Sequence, residues 1–536
     1  GVSDPKWSPD GRTIAALSRL DDVDRRAERG EARVVTDFVY KFNGAGFLPH
    51  GSPALVLVDA ESGETRVLHR PEPGLTITDF VWKPDGSGLL FSGPVTERAR
   101  AMWEEELHEV TLSGEVRRLS DWAAPISGLA PHPDGQRVAF AGRPRDKRNT
   151  EDTHLFEFDL TSTPVTARRL DERVDVPLGN IVAGDLRVGA FPMRPTWDGE
   201  AVLSLYTVGG SAGLFAVEGG AHAPRVHDGE RVVTAFTAAG AAHATIEESP
   251  TDPPEVFLAG VKVTDTAARL GSFPRRAPTR LVARSEDGTE VEGWVLRPDL
   301  EGIPALLNIH GGPHTAYGYG FQHEFQLMAD AGYAVCYANP RGSVGYGQAF
   351  SEAIKGRWGT VDTQDLLAFF DACLERFPDL DRGRTGVMGG SYGGLMTNWI
   401  IGHTDRFTVA VTDRSICNLV SFNGTSDIGA RFWHDELGLE FTNPADIDAL
   451  WDMSPLKYVS NVRTPCLIVH SEEDHRCPVE QAEQWFTALK LLGVETRLVR
   501  FPGEDHELSR AGRPDRRVAR LHEYLLWLDA HLGVGG

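Results

Sequence analysis

A serine stands among four glycines at residues 389–394, which read Gly-Gly-Ser-Tyr-Gly-Gly. The preceding residues 384–388 resemble a short buried strand, and residues 395–401 carry apolar side chains at helical spacing before Gly402. A strand, a glycine-flanked serine and a helix are typical of the nucleophile elbow G-x-S-x-G, whose sharp turn leaves no room for neighbouring β-carbons. We therefore predict that Ser391 is a nucleophile. A flexible glycine-serine linker is the alternative interpretation.

A serine hydroxyl is a weak nucleophile at neutral pH and needs a histidine base that an acidic group orients. In a hydrolase of this layout the acid and then the histidine follow the serine, on loops after late strands. Asp474 and His506 each come a few residues after a short apolar segment. We therefore predict that His506 is the base and Asp474 the acid. Asp413, which follows another apolar segment, is the alternative acid.

The oxyanion of a tetrahedral intermediate needs two preorganised hydrogen-bond donors. The backbone N–H of Tyr392, directly after the predicted nucleophile, is one of them. The other is expected in a loop after an early strand, where residues 310–313 read His-Gly-Gly-Pro. We predict Gly312 as this second donor, with Gly311 as the alternative. A glycine turn that serves packing alone would have the same sequence.

These residues lie in a part of the chain where strands alternate with helices. Helical segments are predicted at 364–376 and 479–492. Short apolar strands are predicted at 305–309, 334–337, 385–388, 408–411, 466–469 and 496–500. Strands separated by helices form a mostly parallel sheet covered on both faces. We predict an α/β-hydrolase domain at residues 273–536.

The amino-terminal half has a different repeating pattern, in which turns rich in Pro, Asp and Gly precede short apolar strands. These units recur about every 40 to 60 residues, a period typical of four-stranded propeller blades. We predict a β-propeller of about five blades at residues 1–272, with an insertion at 19–53 in the first blade. Because the sequence starts at a turn with no predicted strand before it, we also expect one or two blades to be missing at the amino terminus.

The amino-acid composition argues against several classes of function. The 536 residues carry a formal net charge of -23, whereas binding to nucleic acid or to an anionic membrane needs a basic face. No apolar run approaches the length of a spanning helix. The five cysteines form no C-x-x-C pair, so neither a disulfide framework nor a metal site is indicated. We predict a cytoplasmic enzyme without metal or other cofactor, and with no nucleic-acid or membrane partner.

Together these motifs resemble the prolyl oligopeptidase family of serine peptidases, and most closely its acylaminoacyl-peptidase branch. The resemblance rests on the following features: His-Gly-Gly-Pro at 310–313, Asn-Pro-Arg-Gly-Ser-Val-Gly-Tyr-Gly at 339–347, Gly-Gly-Ser-Tyr-Gly-Gly at 389–394, Asp474 and His506, behind a propeller. Other branches carry a tyrosine of the oxyanion hole where His310 stands, so two backbone donors are expected here.

The resemblance implies hydrolysis of short peptides, with the propeller covering the active site and limiting substrate size. An acylaminoacyl-type exopeptidase is the preferred function, and dipeptidyl peptidase, carboxypeptidase, carboxylesterase and a catalytically dead interaction protein are the alternatives. Dipeptidyl members hold a free amino terminus with two propeller glutamates. Residues 104–106, Glu-Glu-Glu, invite that comparison, but we interpret them as a solvated charge run. The sequence leaves a homo-oligomer open.

Four further side chains are candidates for substrate binding. Arg341 and Arg414 follow predicted strands and could bind an acyl oxygen or a terminal carboxylate. Either arginine could instead pair with a structural aspartate. Phe432 and Trp433 could wall the pocket for the residue before the scissile bond, and core packing is the alternative for both.

Overall fold

The computed structural model describes residues 2–19, 30, 32–48, 52–72, 74–144, 151–186, 194–239 and 242–533. Its amino-terminal half contains five consecutive four-stranded units, antiparallel within each unit, of which the last two are joined by one parallel bridge into a single eight-stranded sheet. The first unit and a hairpin inserted in it comprise β1 (Val2–Trp7), β2 (Thr13–Ser18), β3 (Lys41–Phe42), β4 (Gly46–Phe47), β5 (Ala54–Asp59) and β6 (Thr65–His69). The second comprises β7 (Asp79–Trp82), β8 (Gly88–Gly93), helix α1 (Glu97–Ala101), β9 (Glu106–Thr111) and β10 (Val116–Arg118).

The other three units follow the same plan. The third comprises β11 (Ile126–Pro131), β12 (Arg137–Gly142), β13 (His154–Asp159) and β14 (Thr166–Arg169). The fourth comprises β15 (Thr196–Asp198), β16 (Ala201–Val208), β17 (Ser211–Glu218) and β18 (Ala221–Val226). The fifth comprises β19 (Val232–Ala239), β20 (Ala242–Ser249), β21 (Asp252–Leu258) and β22 (Val261–Lys262). These units are the blades of a β-propeller, as the repeat in the sequence predicted.

One expectation about the first blade is wrong. The sequence predicted no strand before the first turn, but β1 lies there and pairs with β2. The alternation of apolar and polar residues is weak in β1 because Asp4 and Pro5 lie inside the strand. The pairing register of β1 with β2 shifts between Ser3 and Lys6. The insertion at 19–53 separates β2 from β5, which pair with each other. Within it, residues 20–29, 31 and 49–51 lie outside the described part of the chain.

The carboxyl-terminal half contains one eight-stranded sheet with the order β23-β24-β26-β25-β27-β28-β29-β30. Its strands are β23 (Thr279–Arg284), β24 (Glu290–Leu296), β25 (Ile303–Ile309), β26 (Ala334–Ala338), β27 (Leu380–Gly390), β28 (Val409–Asp413), β29 (Cys466–Ser471) and β30 (Thr496–Phe501). The pairs β23 with β24 and β24 with β26 are antiparallel, and the other pairs are parallel. This is the sheet of an α/β-hydrolase.

Helices cover both faces of this sheet. They are α2 (His323–Asp330), α3 (Gln348–Ser351), α4 (Val361–Arg376), α5 (Tyr392–Ile401), α6 (Leu419–Thr425), α7 (Gly429–Leu437), α8 (Pro444–Asp452), α9 (Glu480–Leu491), α10 (Leu508–Ala511) and α11 (Pro514–Leu532). Three short 3-10 helices are Ala267–Leu270, Glu352–Ile354 and Pro455–Asn461. Within the described residues, no helix is long and apolar enough to cross a membrane.

The two faces of the sheet bury separate cores because side chains alternate along a strand. On β25, Leu307 packs into the core that contains Phe369 and Trp485, whereas its neighbour Leu306 packs into the core that contains Phe325 and Trp527. Strands β25, β26, β28 and β29 are buried along their whole length, and the carboxyl ends of the parallel strands are the fixed positions from which loops can present catalytic groups.

Candidate active site

The turn between β27 and α5 has the geometry of a nucleophile elbow. Ser391 has φ 61° and ψ -120°, a strained conformation for a residue with a β-carbon. A β-carbon on Gly393 would lie 2.0 Å from the carbonyl oxygen of Ile309, and one on Gly389 would lie 2.6 Å from the Gly393 backbone. Glycines are therefore required on both sides, and the serine side chain is held at the end of the strand.

The three residues predicted to form a catalytic triad lie together at the carboxyl edge of the sheet. The Nε2 atom of His506 is 3.1 Å from Ser391 Oγ, and its Nδ1 atom is 2.7 Å from Asp474 Oδ2. When Nδ1–H donates to Asp474, Nε2 can accept the serine proton. This is the arrangement that acyl transfer by a serine hydrolase requires.

Asp474 is buried, and its second oxygen is also hydrogen-bonded. Oδ1 accepts the backbone N–H groups of Cys477, at 2.8 Å, and Arg476, at 3.0 Å. Burial raises the pKa of Asp474 to about 7, and His470, the two N–H groups and Arg414 oppose that rise by favouring the carboxylate. The donors fix the carboxylate so that its other oxygen faces His506.

The imidazole of His506 is held in its neutral form. Burial lowers the pKa of His506 well below its ordinary value, and the positive charges of Arg414, Arg510 and Arg476 lower it further. Glu507 acts in the opposite direction. A neutral imidazole at neutral pH can accept a proton, which is what a general base needs.

This electrostatic arrangement predicts the pH dependence of an Arg414→Met variant. Removing the positive charge beside His506 makes the imidazolium less unfavourable, so the pKa of His506 rises. Because the active base is neutral, the rising limb of kcat/KM should move to higher pH than in the wild type. The measurement is kcat/KM of both proteins across the acidic and neutral range, with the exposed Arg12→Met as a matched control. A limb that stays in place, or moves to lower pH, would contradict the prediction.

The predicted oxyanion donors adjoin the nucleophile. The N–H of Tyr392 belongs to the first turn of α5, where a helix supplies no acceptor of its own. A β-carbon on Gly311 would lie 3.5 Å from the Ser391 β-carbon, so this loop runs against the elbow. The next residue, Gly312, has φ 118°, which favours glycine. Gly312 therefore stays the predicted second donor, and Gly311 the alternative.

The His310 side chain holds this loop in place. Its Nε2 atom is 2.9 Å from Ser343 Oγ, and its Nδ1 atom is 2.7 Å from the carbonyl oxygen of Gly311. Burial lowers the pKa of His310 to about 4, so the ring is neutral. It is committed to the loop, which agrees with an oxyanion hole built from backbone donors.

The structure places the alternative acid elsewhere. Asp413 is buried, and its Oδ2 atom accepts a hydrogen bond of 2.8 Å from Arg520 Nε. Arg520 also binds Glu324 at 2.8 Å. Because Asp413 is engaged in this internal network and His506 binds Asp474, the geometry favours Asp474 as the acid.

Arg341 is held by aspartates. Its Nε and Nη2 atoms donate to Asp365 at 2.8 and 2.7 Å, and its Nη1 atom donates to Asp287 at 2.5 Å. The two aspartates therefore balance the charge of the guanidinium within the domain. The geometry favours the alternative that Arg341 pairs with structural aspartates rather than with substrate. The sequence could not show this because Asp287 and Asp365 lie on distant segments.

Aromatic residues of α7 have unequal exposure. Trp433 is fully buried and lies 5.0 Å from Trp358 between ring centroids, so the expectation that it walls a pocket is wrong and core packing applies. Phe432 is partly buried, and its ring centroid lies 5.7 Å from that of Trp358. Trp358 in turn packs on the Tyr392 ring. Phe432 therefore remains a candidate for a pocket beside the elbow.

Arg414 stays close to the elbow. It has φ 37°, and its Nη1 atom donates to Ser509 at 2.6 Å. A β-carbon on Gly390 would lie 2.9 Å from its Nη2 atom. Arg414 and Gly390 line a cavity of about 1050 Å³, whose lining also includes residues 234–237 of the propeller but not the side chains of Ser391, Asp474 and His506. This volume is large enough for a short peptide.

Two features of the structure were not predicted from the sequence. Cys477 is buried with its Sγ atom 3.9 Å from Ser391 Oγ. The glutamates at 104–106 are not a solvated run, because Glu105 and Glu106 are buried. Burial raises the pKa of Glu105 to about 7. Their apolar neighbours in β9 were the available clue, since Glu106 begins that strand.

Fold and site together define a serine hydrolase with an α/β-hydrolase domain and a β-propeller. The sequence profile described as the prolyl oligopeptidase family matches residues 319–535. The uncharacterized peptidase YuxL of Bacillus subtilis is 38% identical over 570 residues, which cover 99% of this chain and 83% of that protein. The chain belongs to the prolyl oligopeptidase family of serine peptidases.

Two further comparisons point to one branch of the family. The acylamino-acid-releasing enzyme of Mus musculus is 26% identical over 572 residues, covering 96% of this chain and 75% of that enzyme. The solved structure of Pyrococcus horikoshii acylaminoacyl peptidase has a TM-score of 0.85 and 26% identity, and covers 99% of this chain and 82% of that one. The chain is an acylaminoacyl-peptidase-like serine peptidase.

Proposed function

We propose that the protein releases blocked amino-terminal residues from short peptides, with Ser391, His506 and Asp474 as its catalytic triad. The observation that carries the proposal is the hydrogen-bonded chain from Ser391 through His506 to Asp474, with distances of 3.1 and 2.7 Å. The similarity to acylaminoacyl peptidases favours blocked amino termini as substrates.

In this mechanism Ser391 Oγ attacks the carbonyl carbon of the scissile bond while His506 Nε2 takes the hydroxyl proton. The oxyanion accepts hydrogen bonds from the N–H groups of Tyr392 and Gly312. His506 then gives its proton to the leaving amine, and an acyl-enzyme remains on Ser391. Water, activated by the same histidine, releases the acylated residue. No metal or other cofactor takes part.

The domain division at residues 1–272 and 273–536 belongs to the same proposal. The last propeller strand ends at Lys262 and the first hydrolase strand begins at Thr279, which supports a boundary between them. A cavity lined by both the propeller and the elbow glycines favours narrow, flexible chains, since a folded substrate would first have to unfold locally.

The test is product analysis with one peptide sequence prepared in four forms, with free or blocked ends at each terminus. We expect release of the blocked first residue from the two amino-blocked forms, and little product from the amino-free forms. Cleavage that depends on a free carboxyl terminus would instead support a carboxypeptidase. Much faster turnover of esters than of every peptide form would support a carboxylesterase.

A dipeptidyl peptidase is the second candidate, and buried Glu105 favours it. Its carboxylate accepts the N–H of Ile126 at 3.3 Å, and the charge of Glu105 acts on Arg431 of the hydrolase domain. Trp103, two residues earlier, stacks on Arg431 of the hydrolase domain at 3.7 Å, so this segment lies at the domain interface. If the product is a dipeptide from amino-free peptides, Glu105→Gln should weaken that cleavage selectively.

The proposal includes the location and the partners of the protein. A cytoplasmic location is supported by the five cysteines, which are all buried free thiols. The acidic net charge of -23 supports the absence of a nucleic-acid partner. A homo-oligomer is kept open.

A further inference from the structure

The small hairpin of β3 and β4, inserted in the first propeller blade, packs directly on the catalytic domain. Lys41 Nζ donates to the carbonyl oxygen of Thr425 at 2.7 Å. The Phe47 ring contacts the His475 ring edge to face, at 5.6 Å between centroids. His475 directly follows Asp474 in the chain. The hairpin therefore touches the loop that carries the acid of the proposed triad.

At the tip of this hairpin, one side-chain oxygen joins the two catalytic loops. Asn43 Oδ1 accepts the backbone N–H of His506 at 3.1 Å and the backbone N–H of His475 at 3.4 Å. The first of these belongs to the proposed base, and the second to the neighbour of the proposed acid. The hydrogen bond between His506 and Asp474 thus spans two loops that share a single acceptor from the propeller.

Asn43 is itself fixed. Its backbone N–H donates to Asp427 Oδ2 at 2.9 Å. Asp427 also accepts two hydrogen bonds from Arg476, at 2.8 and 3.1 Å, and Arg476 belongs to the loop of Asp474. Gly44 has φ 76°, and a β-carbon there would lie 3.4 Å from Asp505 Oδ2. The positive φ of Gly44 therefore suits the tight turn of an Asn-Gly pair, and this turn lies beside the loop of His506.

We infer that Asn43 is a positioning residue of the active site, through which the propeller insertion sets the separation of the Asp474 and His506 loops. The inference rests on the proposed triad. Asn43 touches neither the reacting atoms nor any group that the mechanism assigns to substrate. Its effect is exerted on the backbone of His506, where a displacement of a fraction of an ångström weakens both hydrogen bonds of the imidazole. The catalytic site is thus completed by the other domain.

Asn43→Ala tests this inference in the full chain. We expect kcat for a small amino-blocked ester to fall about ten- to a hundredfold, with KM nearly unchanged because no substrate contact is lost. Asn43→Asp keeps the acceptor oxygen, so kcat should largely recover at high pH. The added negative charge beside His506 raises the pKa of the imidazole, and the rising limb of kcat/KM should move to higher pH than in the wild type.

Asn443→Ala is the matched control, because Asn443 also accepts a backbone N–H, at the start of α8, away from the catalytic loops. It should leave kcat and the pH profile unchanged even where it lowers stability, which urea unfolding of every variant measures. Wild-type kcat in Asn43→Ala, or an Asn43→Asp variant as slow as Asn43→Ala at every pH, would overturn the inference. Activity that survives Ser391→Ala would refute the proposed triad instead, so the two failures are distinguishable.

Discussion

Ser391→Ala or His506→Ala is expected to lower kcat by about four to six powers of ten, and the double variant should lose little more. The reason is that the two side chains act as one unit. Without the imidazole the hydroxyl keeps its proton, and without the hydroxyl the imidazole has no nucleophile to activate. The residual rate should come from the oxyanion donors and from substrate binding.

The measurement is single-turnover and steady-state kinetics of the three variants on one amino-blocked peptide, with Ser87→Ala, in an exposed turn of the propeller, as control. A fluorophosphonate should label the wild type and fail to label Ser391→Ala. Circular dichroism and urea unfolding show whether each variant is folded. Losses that add in the double variant would contradict a shared role, and labelling of Ser391→Ala would assign the nucleophile to another residue.

The elbow could be predicted from the sequence because its signal is local. Strand, glycine, serine and helix follow one another within about a dozen residues. The flanking glycines are needed because a β-carbon at either position would clash in that turn. The order of Asp474 and His506 could also be predicted, since parallel strands send their following loops to one edge of the sheet. These inferences need only neighbouring residues and the general layout of the fold.

Contacts between distant segments could not be predicted in this way. Arg341 was ambiguous because nothing local marks Asp365 as its partner. Glu105 looked solvated because the burial of a short strand depends on the blades beside it. The hydrogen bond from His506 to Asn43 joins residues 463 positions apart. An Asn-Gly pair is typical of a hairpin tip, but the docking of this tip on the catalytic loops depends on how the two domains meet.

The acid of the proposed triad is tested by comparing Asp474→Asn with Asp413→Asn. Asp474→Asn should lower kcat by about four powers of ten, because an amide in place of the carboxylate no longer holds the proton on His506 Nδ1 or stabilises the imidazolium. Asp413→Asn should keep most of kcat, since its carboxylate binds Arg520 at 2.8 Å and makes no hydrogen bond to His506 among the described contacts.

Asp413→Asn, which should keep most of kcat, is expected to lose stability. Asp413→Asn weakens a buried ion pair, and we expect the free energy of unfolding to fall by about 1 to 3 kcal/mol. The loss stays limited because Arg520 keeps Glu324 as a partner, at 2.8 Å. The comparison requires kcat per labelled active site together with urea unfolding of both variants. If Asp413→Asn abolishes turnover in folded protein while Asp474→Asn stays active, the acid is Asp413.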